Sequence, residues 1–123
     1  MTSSASTLAT GKQAEESACR YLLENGLKLI EKNYKCRSGE IDLIMRHNDS
    51  IVFVEVRYRH NNRFGSGAES VVKRKQDKLI SAALHYIQTH GKSARSASRF
   101  DVISIRDSFG KDHIEWIQNA FQA

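Results

Sequence analysis

Two short segments place acidic residues inside stretches that otherwise look like apolar β-strands. The first is GEIDLI, residues 39–44, and the second is FVEVR, residues 53–57. Asn48 and Asp49 lie between them and are typical turn residues. The pattern therefore predicts a β-hairpin that carries charged side chains along one of its faces.

A turn centred on this Asn-Asp pair would set Asp42 directly opposite Glu55, and Glu40 opposite Arg57. These four side chains would share one face, because side chains alternate along a strand. The other face would be apolar, formed by Ile41, Leu43 and Met45 of the first strand and Val52, Val54, Val56 and Tyr58 of the second.

Directly opposed carboxylates have Cβ atoms about 5 Å apart. At an effective dielectric constant of 20, such a pair would repel by roughly 3 kcal/mol. A divalent cation between the oxygens would relieve this repulsion, and two carboxylates with water and a phosphate oxygen form a usual Mg²⁺ site. The alternative is an exposed hairpin whose charges only pair with each other, as Glu40–Arg57 and Asp42–Arg46.

Two polar residues on predicted helices favour a site. Glu15 shares a helical stripe with Ala18 and Leu22 and is therefore aimed inward, whereas Glu16 lies on a solvated face. Gln76 lies on the apolar stripe of a later helix. A buried carboxylate or amide needs polar partners.

Positive charge is concentrated just after the second strand. The chain has a net charge of +5, and residues 57–78 contain seven basic and two acidic residues, so this segment holds the whole excess. A local basic patch suits a polyanion such as nucleic acid, and a solvated basic helix face is the alternative. The basic residues are Arg57, Arg59, Arg63, Lys73, Arg74, Lys75 and Lys78.

The elements that must position these residues follow from periodicity and turn residues. A length of 123 residues predicts one domain, here residues 10–123, after a disordered lead-in at 1–9. The predicted elements are a helix at 10–25, strands at 27–36, 39–47 and 51–59, a helix at 69–90, and strands at 99–107 and 113–121. Their order, α-β-β-β-α-β-β, predicts an α/β fold with a mixed five-stranded sheet flanked by helices. The long connection through the second helix has the length of a parallel crossover.

Other features exclude several classes of protein. Cys19 and Cys36 have no paired spacing and are expected to be reduced thiols in a cytoplasmic protein. No apolar run is long enough to span a bilayer, and the N-terminus lacks the features of a secretory signal. The histidines lack the spacing of a zinc site.

Asp42, Glu55 and the basic residue two positions later resemble the PD-(D/E)XK pattern of restriction-endonuclease-like nucleases. A wider set of matches resembles the YraN family of small uncharacterised bacterial proteins, which is similar to Holliday-junction resolvases. These matches are G-x-x-x-E-x-x-A at 11–18, N-Y at 33–34, GEIDLI at 39–44, FVEVR at 53–57, K-Q at 75–76, RFDV at 99–102 and NAF at 119–121.

The resemblance implies an endonuclease-like α/β core and a role for each matching residue. Asp42 and Glu55 would be ligands of Mg²⁺ or Mn²⁺, and Glu15 would be the helix-borne acid of the same metal site. Gln76 would be the helix glutamine near the site. Arg57 stands where these nucleases usually carry a lysine; it can clamp a phosphate but is a poor proton acceptor.

Three hypotheses follow. The chain is a Mg²⁺-dependent nuclease acting on DNA, with branched or structured DNA as one substrate class. Alternatively, it binds nucleic acid without cleaving it, because Arg57 replaces the lysine. The third is an interaction module whose charged face only pairs with itself. By analogy with resolvases, the chain could also act as a homodimer.

Overall fold

A computed structural model describes residues 11–59, 72–91, 96–108 and 111–122. The predicted lead-in at 1–9 and the loop at 60–68 lie outside these residues. The helices are α1 (Gly11–Glu24) and α2 (Lys73–Thr89). The strands are β1 (Lys28–Cys36), β2 (Gly39–His47), β3 (Ser50–Arg59), β4 (Ala97–Ser108) and β5 (Lys111–Phe121).

The five strands form one mixed sheet in the order β1-β2-β3-β4-β5. The pairs β1–β2, β2–β3 and β4–β5 are antiparallel, whereas β3 and β4 are parallel and α2 makes the crossover between them. The predicted element order, mixed sheet and parallel crossover are thus confirmed.

Each helix covers one face of the sheet. On one face, α1 packs Ala14, Ala18 and Leu22 against a buried cluster that includes Leu43 and Val54. On the opposite face, α2 buries a stripe at the spacing of a helical face, formed by Leu79, Ala82, Ala83 and Tyr86. The central strands are therefore apolar on both faces, as expected for a sheet with a parallel crossover.

This two-sided core corrects the predicted hairpin faces. Phe53, on the face expected to be charged, is buried under α2. Ile41 is buried there too, although alternation placed it with Leu43 on the α1 side. The change of side coincides with Asn33, which has a positive φ of 52° and lies between the β1 residues that pair with Ile41 and Leu43. A left-handed residue at this point bends the local pleat.

The helix ends differ in how well the sequence predicts them. The helix α1 ends at Glu24, one residue before the predicted end, and Gly26 follows with a φ of 93° while the Leu27 amide donates to the Leu22 carbonyl at 3.1 Å. The second helix begins at Lys73 rather than at residue 69. Val72, within the predicted helix, has an extended backbone and is 60% exposed, so it lies outside α2.

The sheet edges are irregular. The register of β1 with β2 shifts between Leu29 and Glu31, and that of β4 with β5 shifts between Phe100 and Val102. Asn119 on β5 has a positive φ of 53°. Both outer strands of the sheet therefore contain a bulge or similar irregularity.

Asp101 satisfies the polar groups at the second irregularity and is itself fully buried. Its carboxylate accepts hydrogen bonds from Trp116 Nε1 at 2.9 Å, from the Asn119 amide at 2.9 Å and from Arg99 Nε at 3.0 Å. Arg99 Nη2 also lies 2.8 Å from Nδ1 of His47. The Asp101 carboxylate thus joins β4 to β5 and, through Arg99, to the last residue of β2.

We expect Asp101→Ala to lower the free energy of unfolding by about 3 kcal/mol, because it leaves a half-buried guanidinium, an indole N–H and a backbone N–H without their acceptor. Chemical unfolding followed by circular dichroism measures the loss. The control is Asp77→Ala, whose carboxylate makes an exposed i,i+4 pair with Lys73 and should matter by less than about 1 kcal/mol. Equal losses in the two variants would contradict a structural role for Asp101.

Candidate functional site

Two adjoining cavities lie where α1 and α2 approach the ends of β2 and β3. Their volumes are about 370 and 320 Å³, and both are lined by Asp42, Glu55 and Lys75. The larger cavity extends towards Glu40 and Lys78. The smaller one extends towards a set that includes Glu15, Arg57 and Tyr58. The structure thus gathers most of the predicted site residues into one groove.

Asp42 is fixed by a backbone contact rather than by direct opposition to Glu55. The β2–β3 ladder has the predicted register, with paired positions running from His47–Ser50 to Leu43–Val54. The predicted Asp42–Glu55 pair lies beyond these positions. Instead, the Val56 amide donates to Oδ2 of Asp42 at 2.8 Å, while β3 continues its pairing with β4.

Glu55 is the most deeply buried acid of the groove, with only 4% of its surface exposed. Burial, followed by the charge of Asp42, raises its pKa from 4.5 to about 7. Lys75 opposes this change, since its Nζ lies 3.0 Å from Oε2 of Glu55. Arg57 also acts to lower the pKa of Glu55. Desolvation and the neighbouring carboxylate outweigh both cations.

Glu15 is half-buried in α1 and completes the acidic group, as predicted from its helical stripe. Burial raises its pKa, and the charge of Asp42, a hydrogen bond with Asp42 and the charge of Glu40 act in the same direction. A hydrogen bond with Asn33 acts in the opposite direction. Glu16, its neighbour, is exposed as expected.

Lys75 is the residue whose position in the site the sequence did not predict. It was assigned to a nucleic-acid-binding surface, but its ammonium group lies on Glu55 inside the groove. One feature of the sequence does point to this position. Lys75 and Lys78 are three residues apart, so they share one side of α2, and both line the larger cavity. Arg57 lines the smaller cavity beside it.

The other predicted residues occupy varied positions. Gln76 is half-buried and, among the described residues, is not part of the lining of either cavity. Lys73 pairs with Asp77 on the surface, and Arg74 is exposed. Arg59 is half-buried at the end of β3. Arg63 lies outside the described residues.

The donor set suits a divalent cation held by two carboxylates. In the described part of the chain, no three His, Cys, Asp or Glu side chains are grouped closely enough to hold a metal by themselves. A Mg²⁺ site commonly needs only one or two carboxylates, with water and phosphate oxygens as the remaining ligands. Burial and then the charge of Asp42 raise the pKa of Glu55, and a cation bound between the two carboxylates would favour their charged forms.

The described helices include none that is long and apolar enough to cross a membrane. Cys19 and Cys36 are both free thiols, as predicted.

Comparison with known proteins identifies a family of unassigned function. Residues 14–105 match the model of the uncharacterised protein family UPF0102. A UPF0102 protein of Nitrosococcus oceani is 49% identical over 112 residues, covering 91% of this chain and 90% of that protein. One from Legionella pneumophila strain Philadelphia 1 is 49% identical over 117 residues, covering 95% and 98%.

Among solved structures, the chain matches Pyrococcus furiosus SfsA in complex with Ca²⁺, with 11% identity and a TM-score of 0.34. The match covers 88% of this chain and spans 62% of the length of that one.

We expect Glu55 to make the protein less stable as the pH rises. The folded state keeps the Glu55 proton up to about pH 7, whereas the unfolded chain loses it near 4.5. The folded state therefore binds more protons in this window, and the free energy of unfolding falls across it. Glu55→Gln should abolish this fall in the free energy of unfolding, which is on the order of 3 kcal/mol. The variant should therefore be more stable than wild type above pH 7.

The measurement is the free energy of unfolding against pH for wild type and Glu55→Gln without divalent cations. Glu16→Gln is the matched control, because Glu16 is an exposed glutamate. Parallel pH profiles for wild type and Glu55→Gln would show that Glu55 keeps an ordinary pKa in the folded protein.

Proposed function

This chain belongs to the uncharacterised protein family UPF0102, the family that its motifs indicate under the name YraN, and we propose that it is a metal-dependent nuclease acting on DNA. The observation that carries the proposal is the meeting of Asp42 and Glu55 with two cationic side chains, Arg57 and Lys75, in one groove. Metal-dependent hydrolysis of a phosphodiester requires carboxylates that hold the metal and cationic side chains that hold the phosphate.

The acids would supply the metal site. Asp42 and Glu55 would hold Mg²⁺ or Mn²⁺, and Glu15 would approach the same ion from α1 or hold a water beside it. When bound, such a cation lowers the pKa of a water ligand and stabilises charge that develops on the phosphate. The Val56 amide keeps one oxygen of Asp42 in place, so the carboxylate is oriented before any ligand arrives.

The cations would bind the substrate. The guanidinium of Arg57 can grip two phosphate oxygens at once but cannot accept a proton. Lys78 extends the positive surface along the larger cavity, and Arg74 adds an exposed charge on the same helix. This arrangement favours a continuous sugar-phosphate backbone over a small isolated anion. Branched or otherwise structured DNA is the first substrate class to test, and the homodimer and the cytoplasmic location stay predictions.

We expect cleavage of at least one DNA from a panel of duplexes, single strands, flaps and four-way junctions, with Mg²⁺ or Mn²⁺ present. Asp42→Asn and Glu55→Gln should each lower the rate by about 100-fold or more, because each removes a charged metal ligand. Asp49→Asn, in the exposed β2–β3 turn, is the matched control and should cleave normally. If folded wild-type protein cleaves none of these substrates with either metal, the nuclease proposal fails.

A second candidate is a protein that binds nucleic acid without cutting it. Two observations favour it: arginine at position 57 cannot act as a base, and Lys75 already neutralises part of the charge on Glu55. Neither feature prevents the groove from binding a phosphate backbone.

For this candidate we expect DNA affinity to be unchanged by EDTA and to fall steeply with salt. Lys78→Gln and Arg74→Gln should each reduce the slope of log K against log salt concentration by about 1, since each removes one phosphate contact. Fluorescence anisotropy with labelled DNA measures both effects, and Lys12→Gln, an exposed lysine on α1, is the control. Binding that requires a divalent cation would count against the non-catalytic candidate.

A further inference from the structure

The ion pair between Lys75 and Glu55 joins a half-exposed cation to a buried anion. The two atoms lie 3.0 Å apart, with the lysine side chain 47% exposed and the glutamate side chain 5% exposed. The ammonium group therefore enters the groove from the solvent side, whereas the carboxylate is held by the core of the sheet. Of the two partners, only the lysine can leave without breaking the hydrophobic core.

The backbone of α2 fixes where this lysine enters. A Cβ atom on Gly39 would lie 3.3 Å from the Lys78 carbonyl oxygen, so the first turns of α2 approach the start of β2 closely. Lys75 and Lys78 therefore line the same cavity as Glu55 and Glu40. In the described part of the chain, Lys78 forms no ion pair, which makes it a suitable comparison for Lys75.

The ammonium group and a divalent cation have the same electrostatic task at this position. Each would offset the negative charge of Glu55 beside Asp42, and each needs a carboxylate oxygen of Glu55, the one that Lys75 contacts being Oε2. A lysine 3.0 Å from a carboxylate oxygen leaves little room for a metal ligand bond to that oxygen. The two cations should therefore exclude each other.

We propose that Lys75 and a divalent metal ion alternate on Glu55, so that metal binding displaces the ammonium group and frees it to bind a phosphate oxygen. This inference rests on the metal site of the proposed nuclease and adds a regulatory step to it. Without metal, Lys75 neutralises Glu55 and stabilises the groove. With metal, Lys75 becomes an additional anion-binding group, so metal and DNA should strengthen each other's binding.

Titration of Mn²⁺ into DNA-free protein by isothermal calorimetry tests the exchange at mildly alkaline pH. Lys75→Met should bind Mn²⁺ about fivefold more tightly than wild type, because the competing cation is gone. Lys75→Arg, which keeps a competing charge, should bind close to the wild-type affinity. Lys78→Met removes a charge from the same cavity without removing a partner of Glu55, and should change the affinity less than Lys75→Met does.

A second measurement covers the case in which heats of binding are small. In EDTA, the melting temperature of Lys75→Met should lie about 4 °C below that of Lys78→Met, and saturating Mn²⁺ should raise it more than it raises wild type. The proposed exchange is wrong if Lys75→Met binds Mn²⁺ no more tightly than Lys78→Met. It is also wrong if none of the variants binds Mn²⁺.

The outcomes of the two proposals can be told apart. If Mn²⁺ displaces Lys75 but the protein cleaves no DNA, this inference stands and the nuclease proposal is wrong. The opposite outcome is also possible to recognise. If cleavage depends on Mg²⁺ but Lys75→Met and Lys78→Met bind Mn²⁺ equally well, the nuclease proposal stands and the proposed exchange is wrong.

Discussion

The burial of three carboxylates at one end of the sheet, together with the repulsion of Glu15 and Glu55 by Asp42, constrains the arrangement of the whole groove. Glu15, Asp42 and Glu55 come from α1, β2 and β3, and burial forces their charges into a region of low dielectric constant. The protein offsets this cost with a backbone N–H on Asp42 and an ammonium group on Glu55. An arrangement that opposes stability and still draws residues from several elements is typical of a functional site.

The fold supplies what this arrangement needs because it covers both sides of one sheet. The central strand β3 places Val54 under α1 and Phe53 under α2, and its next residues carry Glu55 and Arg57 out to the groove. A sheet covered on one face only could not bring Glu15 of one helix to Asp42 on β2 and Lys75 of the other helix to Glu55 on β3. The parallel crossover through α2 makes this possible, since it returns the chain across the face opposite α1.

Sequence reasoning succeeded where local rules decide the structure. The Asn48–Asp49 turn set the hairpin register, and the stripe of α1 separated Glu15 from Glu16.

Sequence reasoning was less successful where long-range packing decides the structure. Ile41 lies on the opposite face from Leu43, next to the left-handed Asn33 of the neighbouring strand, and no local pattern indicates this. Lys75 and Lys73 look alike in sequence, yet one enters the groove and the other pairs with Asp77, because only the docking of α2 against Gly39 distinguishes them. Asp101 was overlooked although an acid within RFDVISI is visibly out of place in a buried strand.

The irregular outer strands have a consequence for how copies of the chain can meet. A regular edge strand exposes a row of backbone donors and acceptors on which another chain can extend the sheet. Here each outer strand is interrupted, β1 by its register shift and Asn33, and β5 by its own shift and Asn119. Strand-by-strand addition would find mismatched partners at both edges, which disfavours open-ended assembly into fibres. A closed dimer of this protein would then be built from helix surfaces or loops, leaving the sheet at its present width.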